Sequence, residues 1–225
     1  QRASAENIAS ENETSVGAPQ NPVAAPDVGN TGSIVARWLC SRPKLVVWDF
    51  DLTLVRVHTF RTGVTVDKVA SCWRSDMYDL DLFRLFVQVV RAQGGTVAIA
   101  SYGRREIILE YLKHVFKGME QMFLPSMVVT PSAIGLPDGT QIPAPGKCRL
   151  LQLLMERSGV SDPSTVLFFE DDELNVDACH DAGFHMTVYV PDGFTQNSLL
   201  EIEHTAESGE TDHFDSDEWG AANWS

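Results

Sequence analysis

Asp49 and Asp51, set directly after the apolar run Leu45–Trp48, are two carboxylates placed where a buried strand ends. Strands of a parallel sheet are covered on both faces and read as unbroken Val, Leu and aromatic residues, and ligands bind beyond their carboxyl ends. Side chains alternate along an extended segment, so both acids can point into one crevice while Phe50 turns toward packing. Two like charges that close are costly unless a cation joins them or one is protonated. A hard divalent ion such as Mg²⁺, which takes oxygen ligands and keeps room for substrate phosphates, resolves that conflict. A pair of turn-forming or helix-capping aspartates is the alternative that these residues leave open.

Other junctions carry polar residues of the same kind. Ser101 follows the apolar stretch Thr96–Ala100 and opens a turn with Tyr102 and Gly103, an arrangement suited either to cradling an anion or to capping a helix. Lys147 comes just after Pro143-Ala144-Pro145-Gly146, at the start of a helical pattern, where the helix dipole disfavours a cation. It is therefore either solvated or held by anions in front of it. The apolar residues 166–169 run into Glu170-Asp171-Asp172-Glu173, which is a surface charge run or, given the strand before it, a set of acids at the sheet edge.

The elements that must position these residues alternate between the two periodicities. Leu45–Trp48, Thr96–Ala100, 127–129, 166–169 and 186–190 read as short buried strands. Between them, residues 79–92, 104–116, 147–158 and 175–182 carry helical spacing, two of them stopped by Gly94 and Gly159 and a third by Gly183. Strands separated by helices imply right-handed crossovers and a Rossmann-like, three-layer α/β/α fold around a parallel sheet.

The chain has 225 residues, 44% of them hydrophobic, which is enough for one substantial core. Its net charge of −14 argues against nucleic acid as a partner. The charge is uneven: eight acids and no Lys or Arg fall in residues 201–225, whereas residues 34–200 hold nineteen acids against sixteen bases. Residues 1–33 and 205–225 lack an apolar period and read as unstructured tails around a domain at 34–204. No apolar run is long enough to span a membrane. Cys40, Cys72, Cys148 and Cys179 form no C-x-x-C pair and read as reduced core residues of a cytoplasmic protein. The first residue is Gln, not Met, which leaves a removed targeting segment open.

In order, the junctions give an acid pair, a hydroxyl, a lysine and an acid cluster. That order resembles the four motifs of the haloacid dehalogenase superfamily, matched here by Asp49-Phe50-Asp51-Leu52-Thr53, Ser101, Lys147 and Glu170-Asp171-Asp172-Glu173-Leu174-Asn175. Within it the chain looks most like the small magnesium-dependent phosphatases, through Phe168-Phe169, Asp171-Asp172-Glu173, Asn175 and Asp192-Gly193. The resemblance implies a Mg²⁺-dependent phosphomonoester hydrolase working through an aspartyl-phosphate. Asp49 would be the nucleophile and Asp51 the general acid and base. Asp49 and Asp171 would bind metal by their side chains and Asp51 by its carbonyl. Ser101, Tyr102 and Lys147 would hold phosphate, with Glu170, Asp172 and Asn175 in support.

Superfamily members that act on metabolites often insert a cap domain, and neither gap between the first three motifs holds one. Only short flaps are expected, from residues 55–73 and 131–146. Such an open site would admit a phosphorylated protein side chain, phosphotyrosine being the family's suggestion, or a sugar phosphate. Arg56, His58 and Arg61 are near enough in sequence to touch a substrate or simply to be solvated. The competing class is a catalytically idle phosphate-binding module with the same fold, and within enzymes a phosphotransferase or a dehalogenase. Oligomeric state is not legible.

Overall fold

The computed structural model describes residues 28–143 and 145–208, with side chains for 31–143 and 145–203. Helix α1 (Val28–Trp38) leads into β1 (Leu45–Trp48), and α2 (Val66–Asp76) and α3 (Leu80–Ala92) precede β2 (Thr96–Ala100). Helix α4 (Arg105–Val115) follows, then the two-residue strand β3 (Val128–Val129) and α5 (Gly146–Ser158). The chain ends through β4 (Val166–Glu170), α6 (Glu173–Asp181), β5 (Met186–Tyr189) and α7 (Gln196–Ser208).

The five strands form one sheet, all parallel, in the order β3-β2-β1-β4-β5. β1 is central and fully buried, which is why it reads as Leu-Val-Val-Trp with no polar alternation. Its alternate residues serve two cores. Val46 and Trp48 pack with residues of α1, α3, α4 and α7, while Leu45 and Val47 pack with α5 and α6. The result is the three-layer α/β/α architecture expected from the alternating pattern. Trp48 is ringed by Phe83, Phe86, Phe169 and Phe194 at centroid distances of 5.2, 5.8, 5.9 and 5.8 Å, so the strand end that carries Asp49 stands on a dense aromatic floor.

Helix α1 begins inside residues 1–33 and α7 runs past 204, which corrects the expected tail boundaries for residues 28–33 and 205–208. Gly-Asn-Thr-Gly-Ser is poor helix-forming sequence, yet it leads into Ile34, Val35 and Leu39, which are buried against the sheet, and tertiary packing overrides propensity. The rest of both tails lies outside the described residues. Helix α2 was not expected either. It buries Val69, and Trp73 stacks on His114 of α4 at 5.8 Å, so it completes a layer and does not cap the site. Among the described residues no full cap domain is inserted between the strands. Among the described residues no helix is long and apolar enough to cross a membrane.

All four cysteines are free, but only Cys148 and Cys179 are fully buried, and Cys40 is exposed.

The turn at Asp192-Gly193 has a structural job. Gly193 has φ of +81°, and a Cβ there would meet the Tyr78 ring at 2.4 Å. The turn lets Phe194 N–H donate to the carbonyl of Thr53 at 2.8 Å, tying the last loop to the first motif.

Candidate active site

Register brings the strand ends level. Trp48 lies opposite Ile99 of β2 and Phe169 of β4, so Asp49, Ala100 and Glu170 emerge side by side. Asp49 N–H donates to Phe169 O at 2.9 Å, continuing the ladder one residue past β1. After it the chain turns sharply: Leu54 and Val55 N–H both reach Phe50 O, and Leu52 takes φ of +61°, a left-handed conformation costly for a residue with a Cβ.

Lys147 is the buried centre of the site. Its Nζ lies 2.8 Å from Asp49 Oδ1 and 3.0 Å from Glu170 Oε2, and donates to Ala100 O at 3.0 Å. Burial alone disfavours its charge, but Asp49 and Glu170 outweigh that and hold its pKa above the usual lysine value. The lysine is held by anions and not solvated, which resolves the question its sequence position raised. Tyr102 places its ring over the ammonium at 4.8 Å, while its hydroxyl is buried without a hydrogen-bond partner. Ser101 is buried, its Oγ accepting from Gly103 N–H at 3.2 Å.

Glu170 is fixed from behind: Asn175 Nδ2 and Asp172 N–H donate to its Oε1 at 3.2 and 3.3 Å. Thr53 Oγ1 donates to Asp171 Oδ1 at 3.0 Å. Asp172 caps α6 by accepting from Leu174 N–H, so its carboxylate belongs first to the helix. Asp51 accepts from Thr59 twice, N–H to Oδ2 at 3.0 Å and Oγ1 to Oδ1 at 2.8 Å. Neither role, Thr53 on Asp171 or Thr59 on Asp51, is among the sequence expectations. Thr53 falls inside the first motif, where its position was a usable signal.

These residues open on one cleft of about 120 Å³, lined by Asp49, Asp51, Ser101, Tyr102, Glu170 and Asp171, with His58, Phe60, Arg61, Gly139 and Gln141 at its flaps. The flaps touch, since a Cβ on Gly139 would meet the Phe60 ring at 2.3 Å. Of the three basic flap residues, His58 and Arg61 line the cleft. Arg56 is turned away, donating to Met77 O and Tyr78 O and stacking on the Tyr78 ring.

The acids outnumber their counterion. Asp49, Glu170 and Asp171 each offer a carboxylate oxygen within 4.8 Å of the others, and Asp49 Oδ1 and Glu170 Oε2 share one ammonium, that of Lys147. Burial, then the charge of Asp49, push Asp171 up to about 7 and Asp51 up to about 6. Burial also raises Glu170, with Lys147 pulling against it. A set of hard, under-neutralised oxygens fits a divalent cation such as Mg²⁺. The clustered side chains are the expected Asp49 and Asp171 with Glu170 added to them, and the Asp51 carboxylate, whose expected metal contact is its backbone carbonyl, is not among them.

The raised acids make a stability prediction. A carboxyl whose folded pKa exceeds its unfolded value stabilises below the unfolded pKa, and that contribution is lost as pH rises through the folded one. The metal-free protein is therefore expected to melt at progressively lower temperature between about pH 4 and pH 7, the window from the ordinary value of 3.8 to the raised values of Asp51 and Asp171. Added Mg²⁺ is expected to raise the melting temperature most at the upper end. Thermal scans with chelator and with Mg²⁺ check both slopes, and a Mg²⁺ effect that is absent or largest in acid counts against the site.

No protein-family model and no curated protein matches the chain. Among solved structures it is similar to a dehalogenase, at 16% identity over 72% of this chain and 96% of that one, with a TM-score of 0.42. At that level the likeness assigns no activity.

Proposed function

We propose that the protein is a Mg²⁺-dependent phosphomonoester hydrolase that works through an aspartyl-phosphate on Asp49. The observation that carries this is the group of buried Asp49, Lys147 and Glu170 with half-buried Asp171 at adjoining strand ends, with Asp51 opening on the same cleft. Asp49 attacks phosphorus as the bond to the leaving oxygen breaks, and Asp51 gives that oxygen a proton. Asp51 then takes a proton from the water that attacks the aspartyl-phosphate, which frees phosphate and restores Asp49. Asp49, Glu170 and Asp171 would hold Mg²⁺, which when bound neutralises charge on the phosphoryl oxygens. Lys147 screens the carboxylates, and Ser101 and Tyr102 receive the phosphoryl group.

The cleft has room for a phosphoryl group and the atoms next to it, with the body of the substrate outside. That supports substrates borne on larger molecules, phosphotyrosine-type side chains or sugar phosphates. Incubation with p-nitrophenyl phosphate is expected to release p-nitrophenolate with Mg²⁺ and not with chelator. Halide release from a haloacid without phosphatase activity would replace this reading with a dehalogenase.

A further inference from the structure

Thr59 grips both oxygens of Asp51. Its backbone N–H donates to Oδ2 at 3.0 Å and its hydroxyl to Oδ1 at 2.8 Å, from a residue with no solvent exposure. One residue donating to both oxygens stops rotation of the carboxyl about its last bond, while each oxygen keeps a second lone pair for other chemistry. Thr59 is itself pinned. Val64 N–H donates to Thr59 O at 3.2 Å and Thr62 N–H to His58 O at 2.9 Å, closing residues 58–64 into a compact loop. Phe60, the next residue, rests on Gly139 of the opposite flap.

We propose that Thr59 is a positioning residue for Asp51, aiming its proton at the leaving oxygen. This rests on the phosphatase reading above. In the first half-reaction the Asp51 proton passes to the leaving oxygen as its bond to phosphorus breaks and the bond from Asp49 forms. A carboxyl free to turn loses that aim, and a misplacement of this kind is expensive when geometry does the catalysis. An alkoxide must be protonated to depart, whereas p-nitrophenolate is stable at neutral pH and leaves without a proton.

The test compares Thr59→Val, which keeps shape and the backbone donor but removes the hydroxyl, with Thr59→Ser, which restores it. The measured quantity is kcat/KM, which covers the steps up to leaving-group departure and excludes the later water attack. For glycerol 2-phosphate, Thr59→Val is expected to lower kcat/KM by roughly 30- to 100-fold, and for p-nitrophenyl phosphate by less than about threefold. Thr59→Ser is expected to recover most of the alkyl-phosphate rate. Equal losses on the two substrates, or a Ser variant no better than Val, overturn the positioning role alone. Wild-type protein that releases phosphate from neither substrate overturns the phosphatase reading and this role with it.

Discussion

Asp49→Asn is expected to abolish turnover, lowering kcat by at least about 10⁴-fold, without unfolding the protein. An amide has the shape of a carboxylate and none of its nucleophilicity, so no covalent intermediate can form. The fold has reason to tolerate the change. Asp49 is one of three clustered carboxylates served by a single buried ammonium, and removing one of them lessens repulsion while Lys147 keeps Glu170 and Ala100 O. Melting temperature in the absence of metal should accordingly hold or rise, in keeping with the stability that active sites commonly forgo. Phosphate release and intact mass of enzyme quenched during turnover provide the two readouts. Residual activity above about one per cent of wild type would mean that another group attacks phosphorus.

Lys147→Met acts on the fold as strongly as on the chemistry. Breaking a buried ion pair by deleting one partner leaves an uncompensated charge and typically costs about 3–5 kcal/mol, a large share of a domain's stability. Here two partners, Asp49 and Glu170, are orphaned at once by a side chain that is 1% exposed. The variant is expected to unfold at markedly lower denaturant, and to do so more readily as pH rises, because its surviving acids must ionise without a counterion. Adding Glu170→Gln should restore part of the loss, since the neutral amide leaves only Asp49 unpaired and can still meet Asn175. A Lys147→Met protein as stable as wild type at neutral pH would show that the acids are not ionised around it.

Much of the scaffold was legible because burial on both faces leaves an unmistakable mark: Leu-Val-Val-Trp and Val-Leu-Phe-Phe have no polar partner to alternate with. Lys147 was legible as a problem, a cation at the wrong end of a helix, and the structure supplies the anions that solve it. Helix α2 could have been read, since Val66, Val69, Cys72 and Trp73 share a helical face. Helix α1 could not, as Gly32 and Ser33 interrupt a stripe that only packing completes. Thr59 left no trace, because its bond to Asp51 depends on how eight residues of loop fold back, and spacing in a loop specifies no direction. Glu170 was read as a support and joins the carboxylate cluster as well, a distinction made by side-chain direction and not by position in the motif.

The register of β1 between β2 and β4 acts as a ruler: Trp48 opposite both Ile99 and Phe169 sets Asp49, Ala100 and Glu170 to a common height. Charge is thus indexed by backbone ladders, while the walls of the cleft are borrowed from loops. Loop exchange between relatives of this fold should change what enters and spare the chemistry, with one exception. A graft that replaces residues 58–64 removes the grip on Asp51 along with the wall, so a donor loop must bring a hydroxyl to that spot.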